Sequence, residues 1–418
     1  MISHLSRRSF LKGSASSAAL VALANSVPQF FLNASAEAAQ ARGETILVVI
    51  QLSGGNDGLN TVIPYADDVY RANRKLLGIP TAQVHKIDDY VGLHPSMAGF
   101  SKLLEEGHLG IVQGAGYPVP DRSHFSSMDI WQTARRDATK KGLGAGYRAT
   151  GWLGRYLDAH RGSPTDVPAM HLPADAGRLP LALTGEAALA TSVQSLDAFK
   201  LEDGGDAQLR RAIQQGVAAP REDGDDLVGF LHLSTQSAID SSRQVQDAVR
   251  RYQTGVKYPD SSLARRLKTV AQLIDAGLST RVYYLDLDGF DTHSSQAAAH
   301  AGLLGELSEA VTAFVHDLKE HSHDRRTMVM TFSEFGRRVH ENASAGTDHG
   351  TAAPMFLAGG RVKPGLLTKH PKMTDLDDGD LRFTTDFRSV YAGVLEQWLG
   401  VPSEPVLGTR FTPVKLIA

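Results

Sequence analysis

The sequence predicts an α/β protein in which a mostly parallel sheet is covered by helices on both faces. Two observations carry this. Short apolar runs, bounded by turn residues, recur along the chain as strand candidates. Between several of them lie stretches whose apolar residues repeat at helical spacing. Strands alternating with amphipathic helices bury a parallel sheet from both sides. A third observation concerns the ends of the strands. Several runs empty into clusters of glycine, carboxylate and imidazole, and ligands of open parallel sheets bind where the carboxyl ends meet.

The strand candidates, in order, are Ile46–Leu52, Leu109–Gln113, Ala169–Leu172, Arg281–Leu287, Thr327–Phe332 and Pro354–Leu357. Leu263, Leu267, Val270 and Ile274 mark one helix, and Leu303, Leu307, Val311, Phe314 and Leu318 mark a second. A late helix is expected from Asp386 to Leu399, with Val390, Val394, Leu395 and Trp398 on its apolar side. Residues 200–259 are rich in Asp, Gln, Arg and Ser and read as a helical insertion or cap. The glycine-rich stretch Arg135–Gly151 reads either as a lid or as a solvated surface loop. No repeat or linker divides residues 42–418, so one large domain with an insertion is expected.

The chain has 418 residues and no cysteine, which excludes disulfides, zinc–thiolate sites and thiol nucleophiles. Its formal net charge is −3, with 43 basic against 46 acidic residues, so nothing favours nucleic acid or an anionic membrane. Ser6-Arg7-Arg8-Ser9-Phe10-Leu11-Lys12 resembles the twin-arginine export signal. Gly13–Phe31 is too broken by polar residues for a permanent membrane span. Small-residue cleavage patterns run from Ala34 to Ala41, so residues 1–41 read as a signal peptide. The expected partner is the twin-arginine translocase, and the expected location is periplasmic or secreted.

Four clusters could carry chemistry. Asp57 follows the first strand among Gly54, Gly55 and Gly58, and reads as a metal ligand or as ordinary turn chemistry. Asp291 and His293 are two apart, so in extended backbone they could share a metal. Glu334 directly follows a strand, although an ion pair with Arg337 competes with a ligand role. Asp348-His349-Gly350 joins an imidazole to a carboxylate and a permissive turn. Together Asp57, Asp291, His293, Glu334, Asp348 and His349 form a candidate site for a divalent ion such as zinc, manganese or calcium. Ser123 lies at an expected helix start. There it reads as an N-cap or as a nucleophile, with Arg122 and Arg337 as clamps for an anion.

The segments Gly54–Asn60, Arg122–Phe125, Gly289–His293, Ser333–Arg337 and Gly346–Gly350 resemble an exported bacterial family, domain of unknown function 1501. That family is grouped with the alkaline phosphatase and sulfatase superfamily. The resemblance implies a three-layer α/β/α sandwich, two divalent metals and a Ser or Thr that attacks a phosphoryl or sulfuryl group. The usual acid at the first strand end is replaced by Gln51, and the strand-end pair reads Ser333-Glu334. Two functions are therefore expected to compete. One is a metal-dependent hydrolase of small anionic phosphate or sulfate esters. The other is a non-catalytic metal- or anion-binding protein on the same fold.

Overall fold

The computed structural model describes residues 44–136, 149–160, 169–175, 178–186, 190–193 and 249–418. The strands of the main sheet are β1 (Ile46–Leu52), β2 (Leu109–Gly116), β3 (Ala169–Leu172), β4 (Ala190–Ser192), β5 (Val282–Leu287), β6 (Thr327–Phe332), β7 (Ala353–Ala358), β8 (Gly365–Leu366) and β9 (Thr385–Asp386). Their spatial order is β8-β2-β7-β6-β1-β5-β3-β4, with β9 added beside the end of β2. Every pairing is parallel except those of β7, which runs antiparallel to both β2 and β6.

The layering follows from the two-residue period of the strands. In β1, Ile46, Val48, Ile50 and Leu52 enter one apolar core, while Leu47 and Val49 enter the other. The first core is closed by helices α1 (Ala98–Glu105), α4 (Ser262–Asp275) and α5 (Gln296–Glu320). The second is closed by α2 (His124–Thr133), α3 (Trp152–Ala159) and α6 (Phe387–Gly393). The architecture is thus three layers, α/β/α, around a mostly parallel sheet. Burial of each Leu, Ile or Val side chain contributes about 1.5–3 kcal/mol to holding the layers together.

Local signals explain the helix limits. Ser261 caps α4 by accepting from the Ala264 N–H at 3.2 Å. Leu263, Leu267, Val270 and Ile274 are buried at the expected spacing. In α5 the buried stripe holds Leu304, Leu307, Val311, Phe314 and Leu318, and Leu303 is only partly buried beside it. The late helix begins as expected at Asp386, whose carboxylate accepts from the Arg388 N–H at 3.0 Å. It widens into a π-helical turn over Val394–Trp398. Trp398 Nε1 then donates to Ile46 O at 3.0 Å, tying the late helix to the first residue of β1.

Three details differ from expectation. β2 runs on to Gly116, and β7 is antiparallel, which its apolar composition did not reveal. The pairs β8 and β9, and a three-stranded sheet of Val62–Ile63, His85–Lys86 and Gly92–Leu93, are too short to leave a periodic signal. The signal segment, most of the expected insertion and most of the expected lid lie outside the described residues. Among the described residues no helix is long and apolar enough to cross a membrane.

Candidate metal centre

The sheet register brings three loops out together. Leu52 of β1 lies opposite Leu287 of β5, and Gln51 lies opposite Phe332 of β6. The segments that follow, from Ser53, Asp288 and Ser333, therefore meet at one edge. Because β7 runs the other way, the residues before it, Thr347–Thr351, arrive at the same edge. They lie along Gly336–Arg338: Gly350 N donates to Gly336 O at 2.9 Å, and Arg338 N donates to Asp348 O at 3.0 Å. Gly54 and Gly55 have φ of +115° and +86°. A side chain at Gly54 would meet the backbone of Asp291, and one at Gly55 would meet the ring of Phe335.

Arg337 locks these loops to one another. Its Nε donates to Gly55 O at 2.8 Å and its Nη1 to Thr347 O at 2.7 Å. Its Nη2 reaches Gly54 O, Phe290 O at 2.9 Å and Asp291 Oδ1 at 2.7 Å. The side chain is fully buried. All of its polar atoms are thus committed to carbonyls and to one carboxylate.

Asp291 is the hub of the cluster. Its Oδ1 lies 3.1 Å from both His293 Nε2 and His349 Nε2, and those two nitrogens are 3.0 Å apart. Its Oδ2 lies 3.5 Å from His124 Nε2. Ligand atoms from His124, Asp291 and His349 all lie within 4.8 Å of one another. Burial works to raise the Asp291 carboxyl, but the Arg337 guanidinium outweighs it and keeps the carboxyl below the usual range.

The far nitrogen of each ring decides what the near one offers. His349 Nδ1 is 2.8 Å from Arg122 O, a carbonyl that can only accept, so Nδ1 carries the proton. His293 Nδ1 faces Asp348 Oδ1 at 3.1 Å, and His124 Nδ1 faces Glu334 Oε1 at 2.9 Å. Carboxylates likewise accept from these Nδ1–H groups. In the neutral rings, all three Nε2 atoms then present lone pairs toward Asp291. Either a proton on one of these nitrogens or a cation between them answers so close a packing of lone pairs and carboxylate. Nitrogen and oxygen ligands around a tetrahedral zinc ion stand roughly 3.3 Å apart, given bonds of about 2.0–2.1 Å. Asp291 Oδ1, His293 Nε2 and His349 Nε2, 3.0–3.1 Å apart, come close to that figure, and His124 stands 3.5 Å from the other carboxylate oxygen. Imidazoles fixed at Nδ1 by carboxylate or carbonyl are also the usual outer support of metal-bound histidine.

The other expected site residues fall around this hub in different roles. Glu334 is 2% exposed and is held by Gly54 N at 2.8 Å as well as by His124, so it backs a ligand rather than facing the cluster. Asp348 stands behind His293 in the same way, with Asn342 Nδ2 at 3.2 Å on its Oδ1. Ser123 is the N-cap residue of α2; its side chain makes no cap bond and it is exposed, one position before His124. The Arg122 guanidinium is paired with Asp380 and, at 3.3 Å, with Asp378. His124 is the ring that the sequence reading missed. The available signals were its place beside Ser123 at a helix start and within the family-like segment Arg122–Phe125, since its partner Glu334 lies 210 positions away.

Asp57 does not join the hub. It forms a fully buried ion pair with Arg74, Nη1 to Oδ2 at 2.5 Å, and Gln296 Nε2 donates to the same oxygen at 2.5 Å. Burial alone would raise its carboxyl, but Arg74 outweighs that and keeps it below the usual value. Nearby, His300 Nε2 donates to Asn56 Oδ1 at 3.0 Å, and the His94 ring stands edge-on to it. Burial pushes both imidazoles down from 6.5 to about 4. Below pH 6.5 the unfolded chain takes up protons that these buried rings refuse, so stability rises with pH through this window. The urea midpoint is accordingly expected to fall as pH drops from about 6.5 toward 4. A His300→Gln variant should flatten that dependence; an unchanged slope would remove His300 as its source.

The fold and the cluster together define an α/β protein with a histidine–carboxylate centre at the carboxyl edge of its sheet. The chain belongs to the family described as a protein of unknown function (DUF1501), which its residues 44–375 match. Residues 4–24 match the TAT (twin-arginine translocation) pathway signal sequence, so the protein is exported, to the periplasm or beyond. No curated protein matches the chain. Among solved structures it is similar to a sulfatase from Pseudoalteromonas sp., at 13% identity and TM-score 0.36, covering 84% of this chain and 68% of that one. It is also similar to the lipoteichoic acid synthase LtaP from Listeria monocytogenes, at 10% identity and TM-score 0.39, covering 89% and 81%. A protein in the alkaline phosphatase superfamily from Vibrio parahaemolyticus gives 9% identity and TM-score 0.41, covering 88% and 69%. Likeness this remote transfers no residue role.

Proposed function

We propose that the protein is an exported metal-dependent hydrolase of phosphate or sulfate esters. The observation that carries this reading is the convergence of three imidazole Nε2 atoms on the Asp291 carboxylate. His124, Asp291, His293 and His349 would hold one divalent ion. When bound, that ion supplies Lewis-acid charge to a phosphoryl or sulfuryl oxygen.

The chain's own groups divide the remaining work. Glu334 and Asp348 keep the His124 and His293 rings turned with Nε2 inward. Arg122 contributes its carbonyl to His349, while its guanidinium is balanced by Asp378 and Asp380. Ser123 is the candidate nucleophile: its hydroxyl makes no cap bond and stands at the N-terminus of a ten-residue helix, where free N–H groups favour negative charge. The Asp57 side chain already has its cation in Arg74, so one metal per chain is expected rather than two.

A second reading is a metal- or anion-binding protein without turnover. It is favoured by the commitment of both Arg122 and Arg337 to carboxylates and carbonyls, which leaves neither guanidinium free for a transferred group. The test is metal content of untagged protein from the periplasm, followed by hydrolysis of aryl phosphates and sulfates against a metal-stripped control. Bound metal with turnover supports the hydrolase, bound metal without turnover supports the second reading, and absence of metal uptake overturns the hydrolase and leaves only the anion-binding form of the second.

Glu334→Gln separates support from ligation. A supporting residue is expected to weaken metal affinity by about 10–100-fold while leaving the stoichiometry intact. Competition against a graded chelator reads this directly. Complete loss of the ion would make Glu334 a ligand.

A further inference from the structure

We propose that the protein carries a second binding site, an open cleft that takes an anionic carbohydrate. The cleft is about 650 Å³ and is lined in part by Lys369, His370, Lys372, Arg382, Phe383 and Thr384. That volume is in the usual range for small-molecule sites, about 300–1,000 Å³. None of the four proposed metal-holding residues lines it.

Three features of the lining select the ligand. The first is charge. Arg382 is paired with Asp375 at 3.0 Å and Asp377 at 3.5 Å, and Asp386 is paired with Arg388 at 2.7 Å. Lys369 and Lys372 are exposed and have no carboxylate partner among the described residues, so two ammonium groups are open to an anion on a chain of net charge −3. The second is the direction of two of the five lining hydroxyls. Thr384 Oγ1 donates its hydrogen to Lys369 O at 3.0 Å, and Thr385 Oγ1 donates to Gln113 O at 3.2 Å. Such oxygens offer a ligand only lone pairs, which a bare sulfate cannot use and a sugar hydroxyl can. The third is apolar surface from Phe383, Pro413 and Val414, suited to the C–H face of a ring. A molecule that brings hydroxyl donors, an apolar face and negative charge together is a sulfated or uronate sugar.

The cleft stands next to the metal centre in the fold. The hairpin Leu376–Asp377 and Asp380–Leu381 joins them. Asp377 at its start pairs with Arg382 of the cleft, while Asp378 and Asp380 pair with Arg122 and Arg338. The inference does not depend on hydrolysis at the metal centre.

Titration calorimetry tests it on the full-length mature protein as purified. The probes are a sulfated oligosaccharide, a uronate oligosaccharide, a neutral oligosaccharide of equal length, and inorganic sulfate. At least one anionic oligosaccharide is expected to bind, with the neutral one weaker by about tenfold or more. The Lys369→Ala/Lys372→Ala double variant should weaken the anionic sugar by a similar factor, with metal content and melting temperature unchanged. Equal binding by the double variant overturns the site, as does absence of binding by both anionic sugars. Inorganic sulfate binding as tightly as the oligosaccharides overturns the carbohydrate assignment. Each result is read independently of metal content and ester turnover, so it stands whether or not the centre is a hydrolase.

Discussion

Asp291→Ala is expected to empty the metal centre and abolish any ester hydrolysis. No other side chain touches as many of the proposed ligands. Its two oxygens face His293, His349 and His124 at 3.1, 3.1 and 3.5 Å. Removing it leaves three imidazoles converging on a neutral space, where a divalent ion loses its only direct anionic donor. Loss of an outer supporting partner costs about 10–100-fold in affinity, so loss of this donor should exceed a hundredfold. The fold should survive. Asp291 is 46% exposed, and Arg337 keeps its bonds to the carbonyls of Gly54, Gly55, Phe290 and Thr347. Arg337 is fully buried and loses its one carboxylate, so the unfolding midpoint should fall, though by less than at a pair buried on both sides because Asp291 is half exposed. Metal analysis and urea unfolding on the same preparation separate the two effects. Metal content equal to the parent's would sink the proposed centre. His349→Ala should give the same loss, because its ring is the one that joins His293 to His124 around the hub.

Much of this arrangement could be read from the residues alone. The strands β1, β5 and β6 announce themselves by apolar runs, and the glycine and carboxylate clusters that follow them do meet. What could not be read was which contacts form across the sheet. The cluster around His349 follows no apolar run and precedes the strand candidate Pro354–Leu357. It reaches the same edge because β7 is reversed, and direction is set by pairing with β2 and β6 rather than by composition. His124 was passed over because its imidazole gains meaning only through Glu334 and Asp291, both far along the chain. Glu334 and Asp348 carry the right chemistry but stand one step back, behind the rings they hold. Residue type alone does not distinguish a ligand from the group that orients it. Asp57 shows the opposite failure. Its glycine-rich turn after a strand matched the pattern of a ligand, and no local signal disclosed that Arg74 would reach it.

That pairing yields the largest expected effect on stability. Arg74 and Asp57 are both fully buried. The guanidinium meets both carboxylate oxygens, at 2.5 and 3.0 Å, and also bonds Val339 O and Arg338 O at 2.8 Å each. Arg74→Met would leave a carboxylate buried without its cation and two carbonyls without a donor. Removing one partner of a buried pair costs about 3–5 kcal/mol, much of it the penalty on the group left behind. Asp57→Asn should cost a comparable amount through the stranded guanidinium. The double variant Asp57→Asn/Arg74→Met removes both charges, and its loss should be well below the sum of the two single losses. Additive losses would show that the pair is not coupled and that each residue acts through other contacts. The same variants decide where Asp57 belongs. With its carboxylate answered by arginine, folded Asp57→Asn protein is expected to keep its full metal content. The cation at this strand end is then a side chain of the protein, and the proposed divalent ion belongs where Asp291 and the histidines converge.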